Sequence, residues 1–584
     1  MRLGTVSLAL VFVAIVGAGV ACGRVADPDP LLAVLLQNGR LASLTVSNGT
    51  LTPAFDPYVT DYVIADPASD GWNGATIVVT ATAADPAATI SIDERPGAAP
   101  VSVHRLPGRR TFAVVVSAPD GSQVTYTLRS TVAPAEVATL TSPPARDLGA
   151  PVALSADGKT MLRSGAPDQL TVLAAGSTWR TEATLAAPKG FTFGTTAALS
   201  ADGRTIAVQA VAPFPATNAV VYVFSRNGAK WSAGTPVAPA QLPADAQFGR
   251  AIALTADGNG LAVGAPNDAT VSADSGGTYV FARTGEAWAQ TAALHPSNAA
   301  TGRRSYFGNA VAISGDGNTL LVGAPLDSSK GTGVNPTSPG PENMGALNAG
   351  AAFVYARSGA IWSQVAYVKA SNTATGETDP VGWNGPTSDP TLDKMAGGLF
   401  GEAVALSRDG RTLAVAAPWE MSSGTGVDGV QDNRDARHSG AVYLFGAENG
   451  TWSQIAYVKA SNTTTGGQAG FFGEQIALSD DGAVLAVGAA GEGSIATGVN
   501  PPAPAEDDDS APGSGAVYMF TRWEGAWGQR AYVKPAQRVD ATFGALALSG
   551  DGLTLAVGEA PRTPASLPGG PPSPSPQTTV HVFH

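Results

Sequence analysis

One cysteine in 584 residues leaves nothing to pair, so a disulfide-stapled scaffold is excluded. Charge is scarce as well: Asp, Glu, Lys and Arg make up 14% of the chain, against roughly 25% in ordinary soluble domains. The 34 basic residues are scattered and the net charge is −13, which disfavours nucleic acid, whose phosphates need clustered Lys and Arg. Glu, Lys and Leu are too few for a coiled coil. Catalytic signatures are missing too. The five histidines (His104, His295, His438, His581 and His584) fall in different segments, and the chain has no Gly-x-Ser-x-Gly elbow, phosphate loop or His-Glu-x-x-His pair. No catalytic residue, metal or cofactor is expected, and the protein is expected not to be an enzyme. What is abundant is apolar residues at 44%, with 70 Gly and 43 Pro. That combination predicts an all-β protein of many short strands and tight turns.

The N-terminus carries an export pattern. Arg2 precedes an apolar run from Val6 to Val16, too short to span a membrane, and small residues Gly19-Val20-Ala21 lead into Cys22. No later apolar stretch exceeds about 18 residues. The segment resembles a bacterial lipobox, with Gly19 where that family usually has Leu. The resemblance implies a signal peptide over 1–21, cleavage after Ala21, a lipid on Cys22 and attachment to a membrane through it. Gly23 in place of Asp implies the outer membrane or cell surface rather than the inner membrane. The alternative is a plain secretory signal followed by an incidental Cys. Residues 22–40 read as a linker.

From Leu41 the pattern becomes period-two alternation, with Asn48-Gly49, Pro53, Asp56-Pro57 and Asp120-Gly121 as turn signals, which predicts a small antiparallel sandwich. The stretches LASLTVSNGTLTPAFDPYVTDYVI, TIVVTATAADPAATISID and FAVVVSAPDGSQVTYTLRSTV resemble the bacterial cadherin-like β-sandwich family over 41–132. The resemblance implies a spacer or adhesion module.

The remainder repeats. Asp-Gly recurs at 157, 202, 257, 316, 409, 481 and 551, each after a short apolar strand. Phe-Gly precedes it at 193, 248, 307, 400, 472 and 543. A second apolar strand, a third such as AVYLF (441–445), and a fourth opened by Trp179, Trp231, Trp288, Trp362, Trp452 or Trp527 complete each unit. Four strands repeated seven times predict a seven-bladed β-propeller over 135–584. The last unit stops at its third strand, TVHVF (579–583), so AEVATLTSP (135–143) is expected to supply the missing fourth. The units resemble the FG-GAP repeat of the integrin α-chain propeller in its bacterial form. Integrin-type repeats often hold calcium in an acidic strand 1–2 loop. Here those loops, from SADGKT to SGDGLT, have one or two carboxylates each where calcium needs about six to eight oxygens, so they read as plain turns.

Length varies on one side only. The strand 2–3 loops at 326–349, 419–439 and 491–514 and the linker 373–398 are long, and all map to one face of three adjacent units. Three share a theme, GTGVNP (331–336), GTGVDG (424–429) and ATGVNP (496–501), read as a repeated recognition element or as duplicated turn sequence. Trp383 and Trp419 lie there outside the framework, suited to stacking on a sugar or anchoring a partner. Asp428, Asp432 and Asp435 are candidate ligand contacts, although with His438 they match no metal template. Glu506–Asp509 reads as a solvated, mobile tip and the Pro-rich 561–576 as a stiff or disordered loop. The expectation is a monomeric, non-enzymatic envelope lipoprotein binding a protein or glycan. Alternatives are a carbohydrate- or wall-binding module, or a propeller hydrolase or lyase.

Overall fold

The structure is a computed structural model that describes residues 40–584 apart from 48–49, 66–75, 93–94, 97–100, 105–107, 133–135, 142–152, 165–167, 213–218, 229, 244, 273–274, 300–303, 337–344, 374–396, 464–468, 502–507, 524, 537–540 and 562–578. Cys22 and the export segment lie outside the described residues, as does Trp383. Every regular element among the described residues is a β-strand. The chain divides into two units, one centred on the first 130 residues and one taking Ser130–His584 with two short segments from before it.

In the first unit, a three-stranded sheet (Leu41–Val46, Thr76–Ala83, Val101–His104) and a six-stranded sheet contribute to one core. Alternation decides which side chains enter it: Val114, Val116 and Ala118 are buried while Ala113, Val115 and Ser117 between them are partly exposed. Leu41, Leu44 and Val79 from one sheet meet Ile92, Tyr126 and Leu128 from the other. The buried Tyr126 hydroxyl is satisfied, accepting from Leu41 N (3.1 Å) and donating to Pro57 O (2.8 Å).

In the second unit, antiparallel meanders follow one another, each paired in sequence order. Numbered along the chain, sheet four is Ala310–Ile313, Thr319–Ala324, Ala351–Ser358 and Ile361–Val368. Sheet five is Val404–Leu406, Thr412–Ala417, Ala441–Glu448 and Thr451–Val458. Sheet six is Phe472–Leu478, Val484–Ala489, Ala516–Trp523 and Ala526–Val533. The second strands are buried along their whole length in sheets five and six, because neighbouring sheets cover both faces. That is why TLAVAA and VLAVGA are continuously apolar instead of alternating. Sheet seven is completed as the sequence predicts: Glu136–Thr141 pairs antiparallel with Thr579–Phe583, so the end of the unit is tied by a strand from its beginning.

The Asp-Gly positions are hairpin turns. In each, a Ser or Thr hydroxyl donates to the Asp carboxylate, as from Ser314 to Asp316 (2.6 Å) and from Ser479 to Asp481 (2.5 Å), and the backbone N–H two residues on adds a second donor. The following glycine has φ near +65° to +71°, where a side chain is strained. Turns of successive sheets also bond to one another. Backbone N–H groups reach from Ala156 to Ala201, Asp202 to Ala256, Ala256 to Gly315, Gly315 to Arg408, Arg408 to Asp480, Asp480 to Gly550, and Asp551 back to Ala156. The Phe-Gly pairs join sheets on the opposite side, with Phe400 N donating to Ala349 O and Phe472 N to Ser439 O.

Sheet two, whose first three strands are Thr192–Leu199, Thr205–Val211 and Ala219–Asn227, departs from the four-strand expectation. Its outer strand is broken into Lys230–Trp231 and Thr235–Val237. Between them Gly234 lies against the Phe224 ring at φ +87°, and Pro236 has no N–H for the ladder.

A candidate binding cleft between sheets four and five

The shared Gly-Val theme of the insertions pins each long loop to its own sheet. Val334, Val427 and Val499 form isolated bridges to Val368, Val458 and Val533 of the fourth strands. Beside each, an Asn or Asp in left-handed conformation accepts a backbone N–H through its side chain: Tyr367 N to Asn335 (2.8 Å), Tyr457 N to Asp428 (2.8 Å) and Tyr532 N to Asn500 (2.9 Å). The repeat is therefore structural, and Asp428 is occupied within it.

Beneath these pins lies a set of buried ion pairs. Lys369 Nζ meets Asp327 at 3.3 Å, Lys459 Nζ meets Glu420 at 2.7 Å, and Lys534 Nζ meets Glu492 at 2.7 Å. Each ammonium is nearly or wholly excluded from water. A tyrosine–serine hydroxyl pair flanks each: Tyr367 with Ser329, Tyr457 with Ser422, and Tyr532 with Ser494. An asparagine from the preceding linker reaches each carboxylate: Asn298, Asn372 and Asn462. Burial pulls the Lys369 and Lys459 ammonium groups below the ordinary lysine value, and their acidic partners oppose it. Burial works against the Asp327 charge, yet Lys369 and the Ser329 and Asn298 donors hold its carboxyl below the usual range. Burial also pushes Tyr443 and Tyr457 well up, so both hydroxyls remain neutral donors.

Above the Lys459 pair a cleft of about 430 Å³ opens between sheets four and five. One wall is the start and end of the 373–398 linker, and the other is the 419–439 insertion. The floor is fixed by Asn372, which donates to Glu420 Oε1 (2.9 Å) and Gln431 O (2.8 Å) and accepts from Tyr443. Ser371 donates to Gln431 Oε1 (2.7 Å). Trp419 lines the cleft half-buried, its backbone N–H held by Gly398 O (3.2 Å) and its ring 4.5 Å from that of the buried His438. Of the residues singled out from sequence, the fold thus brings Trp419 and Asp432 to one cavity, while Asp428 is a backbone pin and Asp435 is exposed outside the lining. Among the described residues no cluster of three His, Cys, Asp or Glu is placed to hold a metal. Sequence reasoning missed the lysines. Their signal was available: YVKASN at 367–372 and 457–462 and YVKPAQ at 532–537 repeat a cation in a charge-poor chain.

A second polar group sits where the first strands begin. Arg250, just before the strand Ala251–Leu254 that opens the third sheet, and Glu402, just before the first strand of the fifth, approach within 3.9 Å, and Asn309, just before the first strand of the fourth, donates to Glu402 O at 3.2 Å. Burial raises the Glu402 carboxyl above the usual range. Burial followed by the charge of Glu402 does the same to Glu474.

Residues 41–132 match the cadherin-like β-sandwich domain family, and residues 288–336 match the FG-GAP repeat. No curated protein matches the chain. Among solved structures it resembles a putative 6-phosphogluconolactonase from Bacteroides uniformis at 12% identity, covering 77% of this chain and 98% of that one, with a TM-score of 0.38. It also resembles the RRP9 WD40 repeats at 10% identity, covering 77% of this chain and 99% of that one, with a TM-score of 0.41.

Proposed function

We propose that this chain is a non-enzymatic lipoprotein of the cell envelope, in which a cadherin-like sandwich (41–132) carries a seven-bladed FG-GAP propeller (135–584) that binds a protein or glycan through its insertion-bearing face. The observation that carries the binding role is the cleft at Trp419, walled by an insertion and a linker that the meanders do not need. The seven-bladed reading draws on the successive four-stranded sheets and on the circuit of turn-to-turn hydrogen bonds that returns from Asp551 to Ala156. The opposite face is tied off by Ser/Thr-x-Asp-Gly turns whose carboxylates are already taken, which leaves the insertion face to meet a partner.

Trimming only 337–344, 374–396, 430–434 and 502–507 spares the buried ion pairs and the Gly-Val pins. The trimmed full chain is expected to lose at least tenfold in retention on isolated envelope fractions, and unchanged retention would sink the binding role. The anchor is tested separately: a clickable palmitate analogue is expected to label wild type and not Cys22→Ser, and equal labelling would exclude lipid on Cys22. Lipidation at this position would place the protein at the outer membrane or surface, as a monomer. Under the alternative reading as a hydrolase or lyase, oligosaccharides offered to the protein would be cleaved instead of retained.

A further inference from the structure

We infer that the cleft between sheets four and five takes a neutral sugar ring, with Trp419 as its stacking platform and Gln431, Asp432 and Asn433 as its hydroxyl-reading groups. The inference rests on the binding role proposed above and names the ligand class for the same face.

The molecule contains its own control. Between sheets five and six the same framework recurs: Asn462 donates to Glu492 (3.2 Å), Tyr518 donates to Asn462 (2.5 Å), and Lys534 pairs with Glu492. There Gly491 stands where Trp419 stands and Gly493 where Met421 stands, and the space left is about 30 Å³. The Asn–acid–Lys framework therefore serves the sheets wherever it occurs, and it creates no cavity by itself. The room between sheets four and five is lined by Trp419, Met421 and the segment 431–434, and at the sister site glycines stand in place of the first two.

The chemistry of those additions selects the ligand. The volume, about 430 Å³, lies in the range of roughly 300–1,000 Å³ usual for small-ligand sites. A half-buried indole offers a flat apolar surface to the C–H face of a sugar. The planar groups beside it are already oriented. Gln431 Oε1 is held by Ser371, and Asn433 Oδ1 accepts from Ser423 N (2.9 Å). Gln431, Asp432 and Asn433 all line the cleft, and their amide N–H groups and carboxylate set donors and an acceptor side by side for neighbouring hydroxyls. A protein side-chain anchor would instead want a deep, apolar, fully drying pocket. Asp432 disfavours an anionic ligand, and Arg434 on the same rim disfavours a cationic one. A neutral polyol with one flat face satisfies all of these.

The test uses the full chain in detergent against an array of neutral hexose and N-acetylhexosamine oligosaccharides, with hits followed by calorimetry. Wild type is expected to bind at least one neutral oligosaccharide. Trp419→Ala is expected to weaken it at least tenfold and Asp432→Asn several-fold. Trp419→Phe, which keeps an aromatic face and guards against misfolding, should retain part of the affinity. The sister-site variant Gly493→Ala, whose added Cβ meets its neighbours no closer than 3.5 Å, should bind as wild type. Absence of binding across the array overturns the sugar assignment, as does binding unmoved by both Trp419 variants. If Trp419→Ala instead abolishes retention of an envelope protein while no glycan binds, the sugar assignment fails and the binding face stands. If the trimmed-loop chain also retains its partner, both fail.

Discussion

Replacing Lys369 with Met is expected to cost about 3–5 kcal/mol of stability, the scale set by leaving a buried charge without its partner. Lys369 is wholly buried, and Asp327 is nearly so at 3% exposure. In the variant the Asp327 carboxylate would keep donors from Asn298, Ser329 and Tyr367 but lose the only cation that meets it among the described residues. It must then either stay charged in a dry site or take up a proton. The double variant Lys369→Met with Asp327→Leu is expected to recover more than half of the loss, since removing both charges also removes both desolvation costs. Urea titration of wild type, both singles and the double closes the cycle. A single variant within about 1 kcal/mol of wild type would show that the pair carries little, as exposed pairs do. The same result is expected at Lys459 and Lys534, because the geometry repeats.

The second large effect is at the strand that closes the unit. His581 is buried, with Nδ1 2.8 Å from Glu136 and Nε2 2.9 Å from Glu559. Glu136 comes from the N-terminal strand and Glu559 from a C-terminal one, so this histidine ties together strands from the two ends of the second unit. Burial opposes its charge, but hydrogen bonds to Glu559 and Glu136 win and hold the imidazole pKa above the ordinary value. Burial likewise opposes the Glu136 charge, but Thr139, His581 and Ala536 N hold its carboxyl below the usual range. The signs then follow from linkage. The raised histidine contributes stability fully present below about pH 6.5, its unfolded value, and lost as pH rises through the folded value. The lowered glutamate contributes stability present above its unfolded value near about 4.3 and lost as pH falls through the folded one.

Closure should therefore be strongest in weak acid and weaken on both sides. Hydrogen exchange of residues 579–583 as a function of pH reads this directly. His581→Gln is expected to remove the alkaline limb and to destabilise the unit by about 3 kcal/mol, because it leaves two carboxylates facing a neutral amide. A pH profile identical in wild type and His581→Gln would refute the assignment.

How much of this was legible beforehand varies with the range of the interaction. The hairpin turns were legible, because Ser-x-Asp-Gly closes a turn through atoms two to five residues apart. The meanders were legible, because each strand pairs with its sequence neighbour. The strand at 136–141 was legible too, although its partner lies more than 400 residues away. What made it visible was an absence: a unit lacking its fourth strand at one end and a spare strand at the other. The Gly-Val theme was visible as a repeat but not as a pin, since its partners are backbone groups of a distant strand. The break in the outer strand of sheet two was not foreseen, because the Trp231 signal persists where Gly234 and Pro236 spoil the ladder.

The candidate site was the least legible part. Trp419 and Asp432 stand out in sequence as a tryptophan and a carboxylate beyond the repeat's needs. Asn372, Glu420 and Gln431 do not, and they belong to the cleft only because a linker from one sheet and a loop from the next fold against each other. The sequence by itself determined the all-β class, the position of every Asp-Gly turn and the face on which length varies, because these depend on local backbone preference and on period. Only the tertiary structure decided which carboxylates are buried against lysines, which are spent as backbone pins and which face an open cleft. Those outcomes depend on desolvation and on pairing between residues from 29 to 42 positions apart, and no local pattern encodes them.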